Sequence, residues 1–132
     1  MTATKKPRKP KKRKYRTVSE DELLTAILAG RFAADSEGNV YSVNGHRHLL
    51  ATFLDPQRRP CVKLYLDGGR RTTTVGRAVW MICNRRLVPE GFAVDHIDRD
   101  KENNRPENLR LLEFSENSRQ NQYWDDEFED DF

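Results

Sequence analysis

Residues 94–120, VDHIDRDKENNRPENLRLLEFSENSRQ, hold four side chains with complementary chemistry: Asp95 beside His96, Asn108 beyond a polar stretch, and Asn117 beyond a short apolar run. Cleaving a phosphodiester needs a divalent cation to neutralise the phosphate and stabilise the departing oxygen. It also needs a base to take a proton from the attacking water. Asp95 offers a hard carboxylate and Asn117 an amide oxygen, a pair suited to one Mg²⁺ or Mn²⁺ ion more than to Zn²⁺. Imidazoles exchange protons near neutral pH, so His96 suits the general base. Asn108 can hydrogen-bond backbone or imidazole and hold the loop. The same residue types also make an ordinary polar loop on a small domain, and taken alone they leave both readings open.

The elements that must carry these side chains follow from periodicity and turn chemistry. FAVDHI (92–97) reads as a short strand, DRDKENNRPE as a polar loop, and NLRLLEF (108–114) as a strand returning antiparallel. Ser115 can cap a final short helix, ENSRQNQ, with Glu116 well placed in its first turn. This order would bring Asp95 and His96, at a strand end, against Asn117 on the helix.

Upstream, SEDELLTAILAG reads as a helix. Ser19 and Glu22 make a capping box, Leu23, Leu24, Ile27 and Leu28 form one stripe, and Gly30 suits the stop. NVYSVNGHRHLL and CVKLYLDGGRRTTTV read as two hairpins turning at Asn44-Gly45 and at Asp67-Gly68-Gly69. Together they predict one small antiparallel sheet of about four strands. GRAVWMICNRRL then reads as a second helix, with Ala78, Val79, Trp80 and Ile82 facing inward.

Charge is distributed unevenly over the 132 residues. Residues 1–16 carry nine Lys or Arg and no acid, and residues 123–132 carry six acids and no base, so the stretch between them is formally neutral. The first segment, rich in Lys and Pro, reads as a disordered arm able to neutralise phosphates one by one. The acidic segment reads as a disordered tail that could mask the arm or dock a basic partner. Cys61 and Cys83 belong to no metal-binding cluster and read as buried thiols in a reducing compartment. No membrane span or secretory signal is recognisable, which predicts a soluble intracellular protein, of a bacterial cytoplasm or a phage-infected cell.

Arginines follow both hairpin turns, Arg47 after the first and Arg70 and Arg71 after the second, where a β-ribbon can meet a DNA groove. Arg77, Arg99, Arg110 and Arg119 complete the set of expected DNA contacts, with Arg110 or Arg119 clamping the flanking phosphate. Each could equally be a solvated surface charge. His46 and His48 share a strand face, as two metal ligands would, but the sequence shows no third ligand for them.

The run DHIDRDKENNRPENLR followed by SENSR resembles the HNH endonucleases of the ββα-metal (His-Me finger) fold, in their homing- or phage-type branch. The likeness rests on Asp95, His96, Ile97, Asp98, Asp100, Asn103, Asn104, Asn108, Leu109, Arg110, Ser115, Glu116, Asn117 and Arg119. It implies that Asp95 and Asn117 hold the metal, that His96 is the general base and that Asn108 supports the loop. It also implies DNA cleavage leaving a 5′-phosphate and a 3′-hydroxyl. The chain departs from the family pattern in three places: Gly76 where relatives often carry His before Arg77, Arg99 where Gly is common, and Asn117 where many have His.

The resulting expectation is an α+β protein with four parts. A disordered basic arm spans 1–17, a helix and two hairpins for DNA binding 18–90, a ββα-metal motif 91–122, and an acidic tail 123–132. Its partner would be double-stranded DNA, with the protein a monomer that nicks or a homodimer that cuts both strands. The rival expectation is a DNA-binding protein that keeps the HNH fold without turnover. The complete set of Asp, His, Asn and Asn weighs against the rival, because binding alone needs neither metal nor base.

Overall fold

Ser19 accepts a hydrogen bond from the Glu22 backbone N–H while the Glu22 carboxylate accepts from the Ser19 N–H, so the first helix starts with a reciprocal capping box. The computed structural model describes residues 15–115. Along them run β1 (Arg16–Thr17), α1 (Glu20–Leu28), β2 (Phe32–Ala34), β3 (Val40–Asn44), β4 (His46–Leu49), β5 (Thr52–Leu54), β6 (Pro60–Leu66), β7 (Gly69–Thr74), α2 (Val75–Asn84), β8 (Phe92–His96), a 3₁₀ turn (Pro106–Asn108) and β9 (Leu109–Glu113). The architecture is mixed α+β.

Both hairpins form, but they do not share a sheet. β3 and β4 pair with β2 in the order β2-β3-β4, while β6 and β7 belong to the order β1-β7-β6-β5. The expected four-stranded sheet is therefore two sheets, because each hairpin recruits its own flanking strand. β2 and β5 are three residues each, too short to show an alternating pattern. The second turn is also tighter than expected. Leu66 pairs with Gly69, leaving Asp67 and Gly68, both left-handed, as a two-residue turn.

Order reaches further toward the N-terminus than the charge pattern suggests. Arg16 and Thr17 pair in parallel with Gly69 and Arg70, and Val18 is fully buried behind them. The Arg16 guanidinium donates to Glu22 and to the Asp67 carbonyl, which ties this short strand to α1 and to the β6–β7 turn. Residues 1–14 of the basic arm and 123–132 of the acidic tail lie outside the described residues.

α2 sits at the centre and packs against β2, β3, β6, β7, β8, β9 and the 3₁₀ turn. Thr74 caps it by accepting from the Arg77 N–H, and Arg85 ends it in the left-handed region, earlier than the expected stop at Leu87. Ala78, Val79 and Trp80 are buried and Ile82 is half-buried, as the apolar stripe requires. The same helix turns Cys83 outward. Only Cys61 is a buried thiol, and both cysteines are free.

One apolar core runs from α1 to β9. Leu23 and Ile27 of α1, Val62 and Leu64 of β6, and Val79 of α2 belong to the same cluster as Val94 of β8 and Leu109 of β9. Each fully buried Leu or Ile in it contributes about 1.5–3 kcal/mol. The β8–β9 hairpin is therefore mounted on α2, and α2 is mounted on both upstream sheets. Among the described residues, no helix is long and apolar enough to cross a membrane.

Candidate functional site

β8 and β9 pair antiparallel with Asp95 opposite Arg110 and His96 opposite Leu109. Successive strand residues face opposite ways, so the two side chains at the end of β8 meet different neighbours. Asp95 accepts from Arg110 Nε at 3.0 Å, with 17% of its side chain exposed. His96 turns toward the first turn of α2, where its Nε2 lies 2.7 Å from Asn104 Oδ1.

The loop between the strands is built on carboxylates that accept from nearby N–H groups. Asp98 accepts from the Asn103 side chain at 2.8 Å, the Asp100 N–H at 2.8 Å and the Asn108 side chain at 3.0 Å. The Asn103 bond first, then the Asp100 and Asn108 bonds, hold the Asp98 carboxyl below the usual carboxylate range. Asn108 is buried and closes the loop from its other end. Its Oδ1 accepts from the Asp98 N–H, its Nδ2 also donates to the Asn103 carbonyl, and its own carbonyl accepts from the Ile97 N–H. Asn108 thus bonds to backbone and to Asp98. The imidazole goes to Asn104.

Arg99 occupies the left-handed region at φ 68°, where an L side chain crowds its own backbone. The loop keeps the conformation that glycine commonly serves there, without the glycine. Gly76 has a different consequence. A Cβ at this position would stand 3.0 Å from Asn104 Oδ1 and 3.1 Å from His96 Nε2, so the missing side chain is what lets the imidazole lie against α2.

The expected DNA-contacting arginines are spread over the molecule. Arg77 is half-buried in the first turn of α2, next to Gly76. Arg99 and Arg110 are exposed on the β8–β9 hairpin. Arg47 lies on β4 over the Tyr41 ring, and Arg70 on β7 over the Tyr15 ring. Arg71 donates to the Val18 carbonyl at 2.7 Å and faces Glu20 at 3.6 Å, so its charge helps join β7 to the start of α1. Arg119 and Asn117 lie outside the described residues, as does most of the expected final helix. Phe114 and Ser115, the last described residues, have helical backbone.

Among the described residues, no three His, Cys, Asp or Glu side chains cluster as a metal cage. His46 and His48 meet edge to face on exposed β4 with no such third partner. The Asp95 carboxylate is a hard oxygen donor, and it is paired with the Arg110 guanidinium. That chemistry fits a divalent ion of the Mg²⁺ class.

Sequence reasoning placed Asn104 in the motif without a role of its own, and it left Gly38 unremarked. The only signal for Asn104 was membership of the Asn103-Asn104 pair, whose two members are chemically identical.

These features define a small α+β protein whose terminal hairpin presents an Asp-His pair above an Asn-tied loop. Residues 75–119 match the family model described as HNH endonuclease. The solved structure titled "DNA binding and cleavage by the HNH homing endonuclease I-HmuI" is similar to this chain. The TM-score is 0.55 and the identity 26%, covering 69% of this chain and 51% of that one. This chain therefore spans about half the length of that homing endonuclease. No curated protein matches the chain.

Proposed function

We propose that the chain is a metal-dependent endonuclease that hydrolyses phosphodiester bonds of double-stranded DNA. The observation supporting this reading most directly is the end of β8, where a largely buried carboxylate paired with the Arg110 guanidinium adjoins an imidazole held by a short hydrogen bond. Neither feature is needed by a module that only binds DNA.

His96 takes the proton from the attacking water. Asp95 and Asn117 would hold one Mg²⁺ or Mn²⁺ ion, which supplies charge stabilisation to the phosphate and the departing 3′ oxygen. Asn108 keeps the loop closed through its bonds to Asp98 and Asn103, so that the imidazole stays at the strand end. Arg110 or Arg119 clamps the flanking phosphate. Arg47, Arg70, Arg71, Arg77 and Arg99 add phosphate contacts along the duplex, and the basic arm adds sequence-independent affinity. The products are a 5′-phosphate and a 3′-hydroxyl. One such site cuts one strand, so a monomer nicks, and a double-strand break requires a homodimer or two successive visits. Similarity to a homing endonuclease supports a homing-type role.

The test is supercoiled plasmid incubated with the full chain, with and without Mg²⁺ or Mn²⁺, beside the His96→Ala variant. The expected result is metal-dependent nicked or linear DNA from the wild type, and none from a variant that still binds DNA. Plasmid left intact by the wild type, or cut at wild-type rate by the variant, would overturn the reading.

A further inference from the structure

Resting on the hydrolase reading above, we propose that Asn104 is the positioning residue for His96, fixing the hydrogen on Nε2 so that Nδ1 receives the proton from water. An amide oxygen can only accept, so the 2.7 Å contact makes Nε2 the donor. A neutral imidazole carries one N–H, which leaves the lone pair on Nδ1. Asn108 does not serve this purpose, because its Nδ2 donates to Asp98 and to the Asn103 carbonyl.

The pair is walled on two sides by glycines from different parts of the fold. Gly38, in the turn between β2 and β3 at φ 87°, lies so close that a Cβ would stand 2.3 Å from the Asn104 carbonyl oxygen. That contact presses the upstream turn onto the Asn104 backbone. Gly76 closes the other side, against Asn104 Oδ1 and His96 Nε2. Asn104 itself is only 6% exposed, so water has little access to compete for its amide. Glu37 and Arg105, the neighbours of Gly38 and Asn104, pair at 2.7 Å across the same junction. The Asp35 carboxylate shapes that turn by accepting from the Glu37 and Asn39 N–H groups, the Asn39 amide and the Tyr41 hydroxyl. A loop asparagine is thereby held by two elements outside its own hairpin, and it passes that order to the imidazole.

The experiment combines ¹⁵N spectra of the imidazole nitrogens with plasmid turnover, using the full chain as wild type, Asn104→Ala, Asn104→Asp and Gly76→Ala. The expected wild-type spectrum has the hydrogen on Nε2 of His96. Asn104→Ala should mix the tautomers and lower kcat about 10–100-fold, the usual cost of losing such an orienting partner, with KM for DNA unchanged. Asn104→Asp keeps an acceptor and should restore the tautomer and most of kcat. Gly76→Ala should disturb both readouts while leaving Asn104 in place. A wild-type hydrogen on Nδ1 overturns the proposal even if a variant fails to fold, and so does a folded Asn104→Ala that cuts at wild-type rate. Plasmid left intact by a wild type with its hydrogen on Nε2 overturns the hydrolase reading, and the catalytic role of Asn104 with it, but not the pairing.

Discussion

Arg110 faces Asp95 directly across the β8–β9 ladder, its Nε 3.0 Å from the carboxylate, so a guanidinium already neutralises that oxygen. If Asp95 is a metal ligand, as proposed, the arginine and the ion would compete for it. Half of the Arg110 side chain is exposed, and a pair of this kind is worth about 0.2–1 kcal/mol. Arg110→Gln should accordingly tighten Mn²⁺ binding by about two- to fivefold in calorimetry without DNA. It should weaken DNA binding in the same protein, because a phosphate clamp is lost. Equal Mn²⁺ affinities for the two proteins would show that the guanidinium does not compete.

Asp95→Ala removes the carboxylate and leaves Arg110 without its partner. Cleavage should fall at least about a hundredfold, about 2.7 kcal/mol, since ion-based stabilisation of the phosphate is worth several kcal/mol. The Mn²⁺ binding isotherm should flatten in the same variant. An unchanged isotherm would remove Asp95 from the ligand set.

Arg99 holds a left-handed backbone that costs an ordinary L residue about 1–2 kcal/mol. Arg99→Gly relieves that strain at some cost in chain entropy, for an expected gain of about 1 kcal/mol. The melting temperature should rise by about 4–8 °C. DNA affinity should fall together with the salt dependence of binding, because one phosphate contact goes. Stabilisation without loss of affinity would mean that Arg99 makes no such contact.

Acid should loosen the loops before the core. The carboxyl of Asp98 is held below its ordinary range by the bonds from Asn103, Asp100 and Asn108, and hydrogen bonding to Arg16 and then Ser19 lowers that of Glu22 to about 2. Depressed carboxylates contribute stability that is complete above their unfolded value and is lost as pH falls through the folded one. Asp98→Asn should therefore be less stable than wild type at neutral pH, and the gap should narrow as pH drops below about 4. A gap that stays constant from pH 7 to pH 2, measured by denaturant titration, would show that the Asp98 charge is not what closes the loop.

The parts of this fold that were legible in the sequence are the local ones. The capping box at Ser19 and Glu22 and the Asn44-Gly45 and Asp67-Gly68 turns each act within a few residues, so their signals are complete in the chain. The division into two sheets was not legible. It depends on β1 reaching β7 across some fifty residues and on β2 and β5 finding partners, and three-residue strands carry no pattern of their own. The site shows the same contrast. Asp95, His96 and Asn108 stand out by type and spacing as candidates. Asn104 could not be told from Asn103 by chemistry, because what separates them is contact with Gly38 and Gly76, far away along the chain.

The Gly38 contact has a practical corollary for anyone wishing to transplant this hairpin. A chimaera carrying only residues 75–119 would inherit the motif but not the β2–β3 turn that packs against the Asn104 backbone. The smallest portable unit must begin upstream of Asp35, and the boundary of the recognisable motif is not the boundary of the working part.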